Sequence, residues 1–137
     1  MKISIGILAI VGLWMGALQS ARSVWDGVYT LEQAKRGEAV YNEHCASCHG
    51  AGLAGAESAP SLTGFEFNAN WNKLTLGDLF ERIRVSMPQD DPGRLTSERK
   101  LDVLAYMLSV GKFPAGNTDL PREAQVLSQI RYESTKP

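Results

Sequence analysis

Residues 43–52 read EHCASCHGAG. Both cysteines and both histidines of the 137-residue chain fall within these ten positions. Such a gathering of soft metal ligands needs a common cause. A structural disulfide is a weak one, because Cys45 and Cys48 are three residues apart and so small a loop restrains the unfolded chain little. A zinc site needs about four ligands, and only His44 would be left to add to the set. A thioredoxin-type redox pair expects a strand before it and a helix after it, whereas a helical pattern precedes CASCH.

CASCH satisfies C-x-x-C-H, the attachment sequence for c-type haem. Two thiols three residues apart can each bond one vinyl arm on the same porphyrin edge. The next residue then presents an imidazole to the iron. Average residue frequencies put a chance match in a chain of this length on the order of one in a thousand. Cys45 and Cys48 are thus the expected anchors of a covalent haem c, and His49 is its proximal iron ligand. His44 ends the preceding helix, where attachment geometry gives it no route to the metal. It is read as a surface histidine near a helix C-terminus, with an influence of pH on potential or docking left open.

The flanking pattern is helical. Thr30 heads TLEQ, a capping box with Gln33 at its third position, and Leu31, Ala34, Val40 and Tyr41 carry the period toward the cysteines. Residues 50–73 hold four glycines, one proline and three asparagines and read as loop. Thr75 starts a second helix, with Asp78 as an imperfect capping-box partner. Leu76, Leu79, Phe80 and Ile83 make its apolar stripe, and Pro88 ends it. Thr96 or Ser97 caps a third helix through Leu101, Leu104, Ala105 and Leu108, with Gly111 as its stop. The tail suggests a short helix over about 122–129. No segment shows a strand period. Three helices with this much loop make a thin core, and a bound group with apolar surface of its own would complete it.

The first 23 residues stand apart. One lysine, an apolar run of 16 residues from Ile3 to Leu18 and then small residues make the layout of a secretory signal peptide. Ala21 and Ser23 suit a cut after Ser23. The alternative is an uncleaved tether, although the run falls short of the roughly 20 residues of a spanning helix. The domain plan is therefore a leader over 1–23, a main domain over 24–112 and a C-terminal extension over 113–137. The chain has 14 basic and 15 acidic residues; loss of Lys2 and Arg22 with the leader leaves 12 and 15, a net charge of −3. That balance argues against nucleic acid as a partner.

With haem in place, RGEAVYNEHCASCHG, APSLTG, SMPQDDPGRLT and the helix ending VLAYML resemble the single-haem class I cytochromes c over about residues 31–110. The likeness extends to small periplasmic cytochromes and to the cytochrome partners of quinoprotein alcohol dehydrogenases. The resemblance implies an all-α fold: a small shell of three main helices and loops around the haem. The first and last helices cross, with Gly37 and Tyr41 meeting Val103 and Tyr106. It implies Met87, before Pro88, as the second axial ligand, and a Pro60 carbonyl accepting the proton on the other ring nitrogen of His49. Leu62 and Phe80 are expected to pack on the haem. Trp71 and Asn70 are candidates for a propionate, with a core aromatic as the alternative for Trp71. Met107, within an apolar helical pattern, reads as core filler.

The function this implies is one-electron transfer, with iron cycling between ferrous and ferric states under His49/Met87 ligation. The chain would not be an enzyme. A periplasmic quinoprotein dehydrogenase would be the donor and a terminal oxidase an acceptor. The alternative is a haem enzyme or gas sensor in which Met87 leaves the iron; a relay subunit of a larger complex is a third reading. The tail is read as a clasp on the body in preference to a docking element.

Overall fold

A computed structural model describes residues 22–137. The expected leader, residues 1–23, lies outside the described residues except for Arg22 and Ser23. Six α-helices occur among the described residues: α1 Leu31–His44, α2 Ala46–His49, α3 Gly64–Trp71, α4 Leu76–Ser86, α5 Ser97–Val110 and α6 Ala124–Leu127. The fold is mostly helical, as expected. A small parallel pair, β1 Arg22–Ser23 and β2 Ile130–Arg131, joins the two ends. Two residues per strand are too few for a strand period to show in the sequence.

The capping residues act where the sequence places them. Thr30 Oγ1 accepts from the Gln33 N–H at 3.0 Å, but the reciprocal half of the box is not made. The Gln33 side chain turns inward instead and accepts from the Leu120 N–H at 2.7 Å. The box at α4 is complete: Thr75 Oγ1 accepts from the Asp78 N–H, and Asp78 Oδ2 accepts from the Thr75 N–H. Thr96, rather than Ser97, caps α5.

α1 and α5 make the most extensive contact between elements. Gly37 sits at their crossing. A Cβ there would lie 1.8 Å from the Asp102 carbonyl oxygen, so only glycine lets the two backbones approach so closely. One turn further on, buried Tyr41 meets Tyr106 with ring centroids 5.5 Å apart.

The end of α5 differs from expectation by one residue. Gly111 keeps a right-handed conformation, and Lys112 takes the left-handed one at φ 66°. The Lys112 N–H donates to the Ser109 carbonyl and the Phe113 N–H to the Leu108 carbonyl. Those two bonds form a Schellman motif centred on Lys112.

α3 corrects the reading of 50–73 as loop throughout. Its sequence, GFEFNANW, has glycine at the start and two asparagines inside, so intrinsic propensity is poor. Packing supplies what propensity lacks. Phe67 is buried between Trp71 and Tyr132, and the Tyr132 hydroxyl donates to Asn68 Oδ1 at 2.6 Å. Tyr132 belongs to the tail. Residues 113–137 run along the body and bury Phe113, Leu120, Leu127, Ile130 and Tyr132. Trp25 Nε1 donates to the Glu133 carbonyl, and the Tyr29 hydroxyl to the Phe113 carbonyl. The final helix is one turn, Ala124–Leu127, shorter than the expected 122–129.

Candidate haem site

α1 runs to His44, Cys45 ends it, and the single turn Ala46–His49 follows at once. The Cys48 and His49 N–H groups both donate to the Cys45 carbonyl. This turn sets two thiols and an imidazole on one short stretch. Both thiols are free, Cys45 half-buried and Cys48 exposed. Burial, with Cys48 adding to it, pushes the Cys45 thiol up to about 11.

The loop after His49 folds back on itself. Gly50 and Gly55 take φ of 81° and 84°, and a Cβ at either would meet backbone at 2.7 and 2.6 Å. The Tyr41 hydroxyl donates to the Gly50 carbonyl at 2.7 Å, and the Gly55 N–H to the His49 carbonyl at 2.7 Å. Ser61 Oγ lies within hydrogen-bond distance of the Leu53 and Thr63 carbonyls. The outcome is a Pro60 carbonyl 2.8 Å from His49 Nδ1. A carbonyl can only accept, so Nδ1 carries a proton, and in the neutral ring the lone pair is then on Nε2. His49 is 8% exposed, which holds the ring in that orientation.

Of the other expected residues, Phe80 is buried in α4, and Leu62 and Trp71 are partly buried against the core. Asn70 is exposed. Met107 is buried in α5, as core filler would be. Met87 lies outside that core, half-buried, where α4 gives way to a loop. Its backbone is extended, as a residue before proline must be, and Pro88 is buried. Arg84 is bound to Glu81 through two N–H···O contacts.

His44 departs from expectation. It is half-buried rather than on the open surface: its side chain is 15% exposed, with Nε2 buried and without a hydrogen-bond partner among the described residues. The Glu43 carboxylate is 3.5 Å away. Tyr41 and Ser61, which shape the loop that carries Pro60, were not foreseen in these roles. Tyr41 has a weak signal, an aromatic one helical turn before the first cysteine; Ser61 has none.

The donor set fits a c-type haem. Two unpaired thiols stand beside an imidazole whose outer nitrogen is occupied and whose inner nitrogen is free to bind iron. A family model described as cytochrome c oxidase, cbb3-type, subunit III matches residues 32–107, more than half of the chain. The chain belongs to this family. No curated protein and no solved structure matches it.

Membership brings a covalently bound c-type haem and its iron. The cytochrome is therefore a haem-based electron-transfer protein whose partners are redox proteins, and the family points to a carrier rather than an enzyme. Among the described residues, no helix is long and apolar enough to cross a membrane.

Proposed function

We propose that this cytochrome is an exported one-electron carrier whose haem is anchored on Cys45 and Cys48, with His49 and Met87 as axial ligands. The haem, when bound, supplies an iron that gains and loses one electron. The chain's residues set the conditions for that exchange. The Pro60 carbonyl at 2.8 Å holds the His49 proton on Nδ1, fixes the ring and strengthens the ligand. This is the observation that carries the reading. Met87 supports it from its position on a loop, half-buried and outside the core that holds Met107. A thioether opposite an imidazole favours the reduced iron and raises the potential. Leu62, Trp71 and Phe80 supply apolar surface against which water is excluded.

The donor we assign is a quinoprotein-type dehydrogenase and the acceptor a terminal oxidase, on the likeness of the SMPQDDPGRLT segment. The tail is assigned as a clasp, since Leu120, Leu127, Ile130 and Tyr132 are spent on the body. The leader is assigned an end before Arg22 rather than after Ser23. Arg22 and Ser23 pair with Ile130 and Arg131, and a cut after Ser23 would remove one partner of that pair.

The spectrum of the oxidised protein tests the ligand assignment. The native protein is expected to show the weak methionine-to-ferric charge-transfer band and to leave carbon monoxide unbound when reduced. Met87→Ala is expected to lose the band and to bind carbon monoxide. A band missing from native protein, or surviving in Met87→Ala, refutes Met87 as ligand.

A further inference from the structure

Lys100 is the fourth residue of α5, in a polar run, SERK, that reads as the exposed start of a helix. It is only 3% exposed. Its Nζ donates to the Arg84 carbonyl at 2.8 Å and to the Pro92 carbonyl at 2.7 Å. Arg84 lies in the last turn of α4, where carbonyls have no partner within the helix and where a cation meets the negative end of the helix dipole. Pro92 opens a short 3-10 turn, Pro92–Arg94. The two carbonyls stand three residues before Met87 and five after it. One ammonium thus closes the segment 84–92 at both ends.

Among the described residues, the other hydrogen bonds of this segment are made within it or to neighbouring residues of α4 and the 3-10 turn. Its nearby charges are matched among themselves: Arg84 with Glu81, Arg94 with Asp90. The Asp91 carboxylate accepts from the Gly93 N–H. No carboxylate forms an ion pair with Lys100 among the described residues. Burial pulls its ammonium below the usual lysine range, Arg84 adds to that, and Asp91 opposes it. A buried cation without a counter-ion is costly unless its protons are well accepted. A methionine or leucine would fill the space without that cost. What the ammonium adds is the pair of hydrogen bonds across the loop.

We propose that Lys100 is a positioning residue for the methionine loop: its hydrogen bonds to the Arg84 and Pro92 carbonyls fix the segment that presents Met87 to the iron. The inference rests on the assignment of Met87 as a ligand, and two readouts keep the pair distinguishable. One is amide hydrogen exchange at Met87, Asp91, Gly93 and Arg94 in the haem-loaded protein. The other is the methionine charge-transfer band, together with the affinity of the ferric protein for imidazole. In Lys100→Met, exchange at these four amides is expected to rise at least tenfold, with α1 amides unchanged. The band is expected to weaken, and imidazole to bind at least tenfold more tightly. Lys100→Arg, which keeps a cationic donor, is expected to restore part of each. Should Lys100→Met not accumulate, Lys100→Gln is read in the same way.

Native exchange at the four amides in Lys100→Met overturns the clamp. Faster exchange with an unchanged band and imidazole affinity overturns the positioning role. A native protein that lacks the band, yet shows faster exchange in Lys100→Met, overturns the ligand assignment and upholds the clamp alone.

Discussion

Gly37→Ala should act against its usual sign. Replacing a helical glycine by alanine ordinarily gains about 1 kcal/mol from lost chain entropy in the unfolded state and better propensity. At Gly37 the added methyl would stand 1.8 Å from the Asp102 carbonyl oxygen, 2.4 Å from its carbon and 2.9 Å from the Val103 nitrogen. Ordinary contact begins near 3.4 Å, so α1 and α5 would have to part by about 1.5 Å at their crossing, and a gap of about 1 Å already forfeits up to half of a dispersion well. No side chain can swing aside, because the obstacle is backbone inside a helix. Overpacking of this kind costs about 1–3 kcal/mol and more where nothing yields. Taking the upper end of that range and subtracting the propensity gain, a net loss of about 2 kcal/mol is expected, or a fall in Tm of roughly 8 °C for a domain of this size. The assay is thermal unfolding of the haem-loaded protein followed by far-ultraviolet circular dichroism. Glu38→Ala, on the exposed face of the same helix, serves as control and should shift little. A Gly37→Ala protein as stable as native would refute the argument from close approach.

Two further outcomes follow from buried polar groups. Gln33→Ala strips the acceptor from the buried Leu120 N–H; an orphaned buried donor costs about 1–3 kcal/mol, so urea denaturation should show a loss near 2 kcal/mol, and a loss under about 0.5 would mean that water reaches the site. Tyr132 is raised from 10.0 to about 12 by burial. The unfolded chain therefore loses this proton first as pH rises, so the stabilisation is intact below pH 10 and drains away between 10 and about 12. Between pH 9 and 11 the native protein should lose about 1.3 kcal/mol more than Tyr132→Phe, and parallel slopes for the two proteins in a denaturation series would contradict the assignment.

The parts of the fold that could be read in the sequence are those set by local chemistry. Thr30, Thr75 and Thr96 announce their helices because an N-cap needs a short side-chain oxygen, and the stripes of α4 and α5 follow from helical period. The proposed haem anchors are legible for a stronger reason: covalent geometry allows few spacings, and CASCH has the right one. The features that were missed depend on distant contacts. α3 forms despite Gly64 and its asparagines because Tyr132, more than sixty residues further on, packs on Phe67 and holds Asn68. Lys112 takes the left-handed position beside a glycine that would have suited it, which no propensity anticipates. Lys100 gives no sign of burial because its acceptors are backbone carbonyls, and a carbonyl looks the same in every sequence.

The pairing of β1 with β2 has a temporal meaning. Trp25 and Glu133 are bonded across a separation of 108 residues, and contacts that long form late because the whole intervening chain must first be gathered. Ile130 and Arg131 are synthesised more than a hundred residues after the strand they pair with. Until then β1 lacks this partner. CASCH lies inside the ring that this pairing closes, so both thiols are in place well before the domain can shut. The order of synthesis thus leaves an interval in which a haem can reach this stretch, and the arrival of β2 ends it.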